Sequence, residues 1–365
     1  MDDNTVNWLD LPPDLWFKIS KNMNTTIDIV RFRSTCSLWR SVLPPPPPPP
    51  LPSSSYKFIT IQSLRDIKFW QLLQSKIYRL EPLIPTCSSS SSCSSNKGWI
   101  IKVEELTSGK LRHLDVLNNT HISHTFPSNV LDFMNLRVRE LFQTYNMYSS
   151  NVQGDLNSSN DVYRVVLFHV EGYGQMVFIL NKDRKLRICS NGRSYNNLIF
   201  VEHGITRYDD IILYKGKVYV VDINGIIFWI NFSTHMLVQS SPPLSSNGKK
   251  KHLVESNGHL YVVDFSYKRT RTNIYTLFVD ISVLVVENDS TRWLRVSDLG
   301  DEVFVLGEDA NFSLSAKDYY GFKKNCVYFR YRSRVTLFNL NDLRMKFDDD
   351  IFCPCPTLFN FDMCE

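Results

Sequence analysis

A few groups of residues have types and spacings that suggest chemistry. His121-Ile-Ser-His124 sets two imidazoles close together. A metalloprotease needs H-E-x-x-H on a helix, with the glutamate as base, and that glutamate is absent. Cys353-Pro-Cys355 with Cys364 offers three thiols but not the paired C-x-x-C spacing of zinc sites, so strand-edge cysteines are expected. Asp209-Asp210 offers paired carboxylates for acid–base work. The expectation is a solvated pair at a strand entrance. Lys249-Lys250-Lys251 and Lys268-Arg269-x-Arg271 are basic runs, expected on solvated turns rather than at nucleic acid or as a nuclear address. Gly172-Tyr-Gly174 is a lone G-x-G, expected to be a hairpin turn rather than a phosphate loop. There is no G-x-S-x-G, and no cysteine stands at a recognisable spacing from a histidine. No catalytic residue, metal ligand or cofactor is therefore assigned.

Composition narrows the classes further. A chain of 365 residues suits one small and one large domain, and 43% hydrophobic residues suffice for a packed core. A net charge of +4 is too mild to imply nucleic acid. No basic start precedes an apolar stretch, so no secretory leader is expected. The longest apolar run, around Ile281–Val286, is strand-sized rather than membrane-spanning. The eight scattered cysteines are then expected as reduced thiols, and the location as intracellular, nucleus and/or cytoplasm.

The elements follow from periodicity. Leu11-Pro12-Pro13-Asp14 reads as a helix start, with proline where a free N–H has no partner and aspartate at the positive end of the dipole. Leu15, Ile19 and Met23 make one apolar stripe at i, i+4 and i+8. Thr25-Thr26-Ile27-Asp28 resembles a capping box and opens a second helix carrying Ile29, Val30 and Phe32. Ser34 or Thr35 caps a third, with Cys36, Trp39 and Val42 apolar. Three helices in about 35 residues cannot bury a self-sufficient core. Their apolar face docks either on the rest of the chain or on a second protein. Pro44 to Pro50 is an unbroken proline run, expected as a polyproline rod of roughly 20 Å that acts as a spacer.

Beyond the rod the chain reads as short strands rich in Val, Ile, Tyr and Phe between turn residues. They include Val162–Val170, Lys217–Asp222, His259–Val263 and Cys326–Tyr331. Leu64–Leu80 reads as helical or mixed, with Trp70, Leu73 and Ile77 on one face. Gly216-Lys-Val-Tyr219-Val-Val-Asp222 repeats as Gly258-His-Leu-Tyr261-Val-Val-Asp264. Asn325-Cys-Val-Tyr328 and Gly98-Trp-Ile-Ile are weaker copies. The 42-residue step from Tyr219 to Tyr261 is the length of one four-stranded propeller blade. At about 45 residues per blade, the body holds about six blades. The chain is thus expected to be multidomain: a small all-α head of three helices over residues 1–43, a polyproline and serine linker over 44–55, and an all-β propeller over 56–365.

Two resemblances sharpen this reading. L-P-P-D-L, then Ile19, Asp28-Ile29 and Cys36-x-x-Trp39-Arg40 resemble the F-box motif, although Ser20 and Thr35 replace bulkier apolar residues. The resemblance implies binding to the Skp-type adaptor of a cullin-based ubiquitin ligase. The adaptor-facing residues it implies are Leu11, Pro12, Leu15, Ile19, Ile29, Val30, Cys36 and Trp39. The segments around Lys97-Gly98-Trp99, Arg207–Asp222, Leu253–Gly258, Leu299–Gly307 and Phe312–Ala316 are similar to plant F-box proteins with a KIB-type propeller. Leu358 stands where that family usually has tryptophan, which predicts looser closure of the last blade.

Together these imply a non-catalytic substrate-recognition subunit. The head would hold the adaptor and, through it, a cullin, while loops on one propeller face would hold a protein target for ubiquitination. No nucleic acid, membrane or cofactor is expected. The competing expectation is a propeller-based binding protein or enzyme without a ligase role. An enzyme would show inward-facing acids, bases and arginines at one mouth of the channel, and the sequence displays no repeated set of that kind.

Overall fold

Two consecutive residues with positive φ make the tight hairpin that links twisted strands. Lys215-Gly216 (45° and 71°) and Asn257-Gly258 (50° and 75°) supply it at equivalent turns, which is why the repeat begins at glycine. The computed structural model describes residues 11–21, 32–33, 37–42, 57–63, 66–82, 97–105, 111–122, 136–150, 156–158, 162–172, 174–190, 198–200, 207–232, 234, 236–245, 248–269, 275–287, 290–349 and 351–352. Residues 22–31, with most of the second predicted helix, the proline rod, His124, Arg271, Cys353, Cys355, Leu358 and Cys364 lie outside them.

Helices α1 (Pro13–Lys21) and α2 (Ser37–Val42) belong to the head. Blade one holds β1 (Lys57–Ser63), β2 (Asp66–Pro82), β3 (Trp99–Glu105), β4 (Leu111–Leu114), β5 (Leu136–Ser150) and β6 (Leu156–Ser158). Its order is β4-β3-β2-β5-β6, with β1 also on β2. Blade two holds β7 (Val162–Val170), β8 (Gly174–Asn181), β9 (Leu186–Ser190) and β10 (Leu198–Phe200). Blade three holds β11 (Tyr208–Tyr214), β12 (Lys217–Asp222), β13 (Ile227–Asn231) and β14 (Met236–Gln239). Blade four holds β15 (Lys250–Ser256), β16 (His259–Arg269), β17 (Tyr275–Glu287) and β18 (Ser290–Val296). Blade five holds β19 (Glu302–Leu306), β20 (Asn311–Ser315), β21 (Cys326–Tyr331), β22 (Arg334–Asn339) and β23 (Arg344–Phe347). Its order is β20-β19-β21-β22-β23, with β19 and β21 parallel.

The body therefore has five blades among the described residues, not about six. The missing blade is length spent elsewhere. Blade one takes six strands, two of them 17 and 15 residues long, and the fifth takes five. The reading of Leu64–Leu80 as helical or mixed is also corrected: it lies largely in β2. Strand β2 pairs with β5 from Phe69 to Pro82, and that distant partner overrides the local helical spacing. Tyr219 and Tyr261 occupy matching second strands, as the repeat implies. Tyr328 sits instead in β21, reached by a crossover from β20, so its larger spacing marks a different place in the blade.

Each gap between blades is filled by its own apolar cluster. Leu72 and Met147 meet Val165 and Val177 between blades one and two. Phe178 and Ile188 meet Tyr208 and Val220 between two and three. Val221 and Ile227 meet Leu253 and Val262 between three and four. Val263 and Ile281 meet Phe304 and Val327 between four and five. Ile77, Ile100 and Leu117 meet Val305, Tyr328 and Leu337 between five and one. That last cluster closes the ring, and backbone bonds Gly98 N to Asp318 O (2.8 Å), Tyr320 N to Gly98 O (3.0 Å) and Glu308 N to Leu117 O (2.8 Å) lock it. The position of Leu358, from which a looser last blade was expected, lies outside the described residues.

Candidate functional site

The head is built around an aromatic knot. Pro12 O accepts Leu15 N at 3.0 Å, which starts α1 behind Pro13, and Asp14 sits in its first turn. Trp16 is 2% exposed and lies 4.3 Å, centre to centre, from Trp39 and 5.8 Å from Phe32; Phe32 stacks on Trp39 at 4.5 Å. Arg33 and Arg40 donate to each other's carbonyl at 3.2 Å and tie the segments together. Burying Trp16 orients the helix. Leu15 and Ile19, one helical turn apart, are left outward at 40% and 37% exposed. Pro12 is exposed, and Leu11 and Trp39 are half-buried. Ile29, Val30 and Cys36 lie outside the described residues. Sequence reasoning missed Trp16, the residue that decides which face of α1 is free; a bulky aromatic one step from the Leu15 stripe was the available signal.

The propeller axis holds a second constellation. Strands β7, β11, β15 and β20 lie at the ends of their sheets and pack on one another. Arg164 of β7 pairs with Asp210 of β11 at 2.7 Å and donates to Gly307 O at 2.8 Å and Asn311 Oδ1 at 3.1 Å. Asp210 also accepts Leu253 N of β15 at 2.7 Å and Asn311 Nδ2 of β20 at 2.8 Å. One carboxylate thus links four blades. Blade one joins through Lys102, which pairs with Asp309 at 2.5 Å, and through Asn146, which donates to the same carboxylate at 3.4 Å. Beside this clasp, Asp209 pairs with Arg184 at 3.0 Å and accepts Lys251 N at 3.1 Å. Lys251 Nζ faces Asp264 at 3.6 Å and donates to Ile223 O at 2.9 Å.

Two sequence expectations are corrected here. Asp209-Asp210 is not a solvated pair: the two residues are 3% and 0% exposed. Lys249–Lys251 is not wholly a solvated turn, because Lys251 is fully buried and Lys250 half-buried. Each unit of the run has a different fate because Lys249 precedes β15, Lys250 begins it and Lys251 lies inside it, where four consecutive residues are buried.

Burial sets the electrostatics. It raises Asp209 to about 6 against the pull of Arg184 and Lys251, and it raises Asp210 against Arg164. It lowers Lys250 to about 8, with Arg164 adding repulsion, and lowers His252 well below the usual imidazole value. Lys250 Nζ lies 3.9 Å from the Tyr163 ring, whose hydroxyl burial pushes upward. Acids, bases and an arginine do therefore converge where the end strands of the blades meet, although no repeated sequence set announced them. Arg164, Asp210 and His252 are at most 6% exposed, and the first two are engaged with each other and with neighbouring blades, although Arg164 Nε is left without a hydrogen-bond partner. The geometry makes this an interblade clasp. Among the described residues no group of three or more His, Cys, Asp or Glu is arranged to hold a metal ion.

A short helical module with an apolar outer face, set ahead of a closed ring of blades, defines a class of two-part helical and β-propeller proteins. Comparison places the chain within it. The F-box domain family matches residues 8–46, and the KIB1-4 beta-propeller family matches residues 66–353, so the chain belongs to the F-box proteins with a KIB1-4 β-propeller. The F-box protein SKIP23 of Arabidopsis thaliana is 30% identical over 345 residues, covering 86% of this chain and 81% of that protein. F-box protein At4g35733 from the same plant is 27% identical, covering 94% of each. An apocarotenoid oxygenase of Synechocystis overlaps at 9% identity over 80% of this chain and 82% of its own, with a TM-score of 0.30, too low to support any inference.

Proposed function

We propose that this protein is the substrate-recognition subunit of a cullin-based ubiquitin ligase, with the head on a Skp-type adaptor and the propeller holding a protein target. The chain itself makes and breaks no bond. Its contribution to rate is proximity, through the raised local concentration of target beside the conjugating enzyme. One observation carries the reading: α1 spends Trp16 on the aromatic knot and leaves Leu15 and Ile19 outward, 40% and 37% exposed. Leu11, Pro12, Leu15, Ile19, Ile29, Val30, Cys36 and Trp39 are the proposed adaptor contacts, with Trp39 also part of the knot. Residues 1–43 form the proposed head, 44–55 the spacer and 56–365 the target-holding body.

The test is co-purification with a Skp-type adaptor. Leu11→Ala with Pro12→Ala is expected to abolish it and leave the thermal unfolding of the propeller unchanged. Undiminished adaptor binding by the double variant overturns the assignment.

A further inference from the structure

Blades three and four present facing rows of side chains. Ile212, Tyr219, Trp229 and Val238 are cross-strand neighbours on successive strands of blade three, so they share one face. Leu284 and Trp293 pair in the same way on blade four. Near the axis the rows close into a dry cluster with Val221, Leu253 and Val262. Further out they diverge and leave a cleft of about 670 Å³ lined by Tyr214, Tyr219, Trp229, Leu260, Leu284 and Val286. Its walls are fixed. Tyr214 Oη donates to Gly258 O at 2.7 Å, and Trp293 Nε1 crosses between blades to Pro242 O at 2.9 Å. A preformed cleft saves its occupant the cost of ordering the walls.

The lining selects by chemistry. Gln239 Nε2 donates to Ser241 O at 2.8 Å, and the Ser241 hydroxyl is used inside the protein, accepting from Ile227 N at 2.8 Å and donating to Pro242 O at 3.0 Å. The open wall mixes aromatic and aliphatic faces with the polar groups of Gln239, Ser240 and Thr291, and its lip carries Val286 at 68% and Val238 at 36% exposed. The rim is cationic. Lys217 Nζ stands 4.3 Å from the Trp229 ring centre and Lys215 Nζ 5.0 Å from that of Tyr214. Neither lysine makes an ion pair among the described residues, whereas Glu287, the acid next to Val286, is already engaged by Arg292 at 3.0 Å.

We propose that this cleft seats an extended acidic segment of the protein target, with a large apolar side chain inside and carboxylates against Lys215 and Lys217. The proposal rests on the reading of the propeller as the target-holding body. It names the place and the chemistry on that body: aromatic walls for one anchor and two lysines outside any ion pair for the flanking charge, with Glu255 as a nearby acid beside Lys215.

The experiment titrates the full chain into a fluorescein-labelled synthetic peptide carrying Leu-Phe between blocks of aspartate and follows anisotropy. Saturable binding is expected, weakened at least tenfold by Lys215→Glu with Lys217→Glu and by Val286→Asp. These positions are exposed, so folding is preserved and is checked by thermal unfolding. Lys323→Glu with Lys324→Glu, an equal charge change elsewhere, is expected to leave binding unchanged. Absence of saturable binding overturns the proposal. So does equal binding of a peptide with glycines in place of Leu-Phe, or undiminished binding by the lysine double variant. Adaptor co-purification, measured on the same proteins, reports on the ligase reading separately.

Discussion

The clasp at the axis makes a quantitative prediction. Asp210 is fully buried and accepts Arg164 at 2.7 Å, Leu253 N at 2.7 Å, Asn311 Nδ2 at 2.8 Å and Ile211 N at 2.8 Å. Replacing Arg164 by Met leaves that carboxylate charged and shut off from water. Replacing Asp210 by Asn leaves the guanidinium with only Gly307 O and the Asn311 side chain. Removing one partner of a buried pair costs about 3–5 kcal/mol, a large part of the roughly 5–15 kcal/mol that holds a domain folded. Removing both charges leaves neither partner stranded. The double variant Arg164→Met with Asp210→Asn is therefore expected to lose less than the sum of the singles by at least about 2 kcal/mol. Urea unfolding of the four proteins, followed by tryptophan fluorescence, measures this cycle. Single losses below about 1 kcal/mol, or strict additivity, would refute the claim that these two residues hold four blades together.

Other outcomes are expected from the same structure. Lys250→Met should raise the thermal midpoint at neutral pH, because the amine is held at about 8 by burial and by Arg164. An ordinary lysine titrates near 10.5, so the folded state gains as pH rises from about 8 to 10.5 and Lys250 loses its charge. The advantage of the variant should shrink over that window. Asp209 shifts the other way: its folded value is raised to about 6 from 3.8, so its neutral form contributes stability below about 4 that is lost as pH climbs through 6. Asp209→Asn should flatten that part of the stability–pH curve, and an unchanged slope counts against the burial argument. Gly248→Ala should destabilise more than Gly216→Ala. A methyl group at Gly248 would run into the Asp264 carboxylate, which faces Lys251, whereas Gly216 has open space and only its φ of 71° to defend, a cost of about 1–2 kcal/mol. Leu15→Asp should abolish adaptor binding without loss of helix content, because the side chain is 40% exposed, while Trp16→Ala should lose both. Circular dichroism and co-purification separate the two cases.

The parts of this protein legible in its sequence are those that short stretches decide alone. Proline at the first turn and the Leu15–Ile19 spacing set α1. Glycine or asparagine with positive φ set the hairpins, and so the strand ends at Tyr214, Lys217, Ser256 and His259. Lys217–Asp222 and Cys326–Tyr331 are strands over the full range predicted from β-branched and aromatic residues between turns. These features cost or gain free energy within a few residues, so their neighbours suffice to choose them.

Tertiary structure decided what depends on distant partners. Strand β2 carries a helix-like apolar spacing and became a strand because β5, some seventy residues on, pairs along most of its length. The blade count fell to five because strand lengths are set by such partners rather than by the repeat. Asp209, Asp210 and Lys251 read as surface charges and lie inside, because Arg184, Arg164 and Asp264, brought from a neighbouring turn and other strands, neutralise them. A charge enters a protein interior only beside its counter-charge. Which charges are buried is thus fixed by the ring that assembles them, and no local run of residues carries that information.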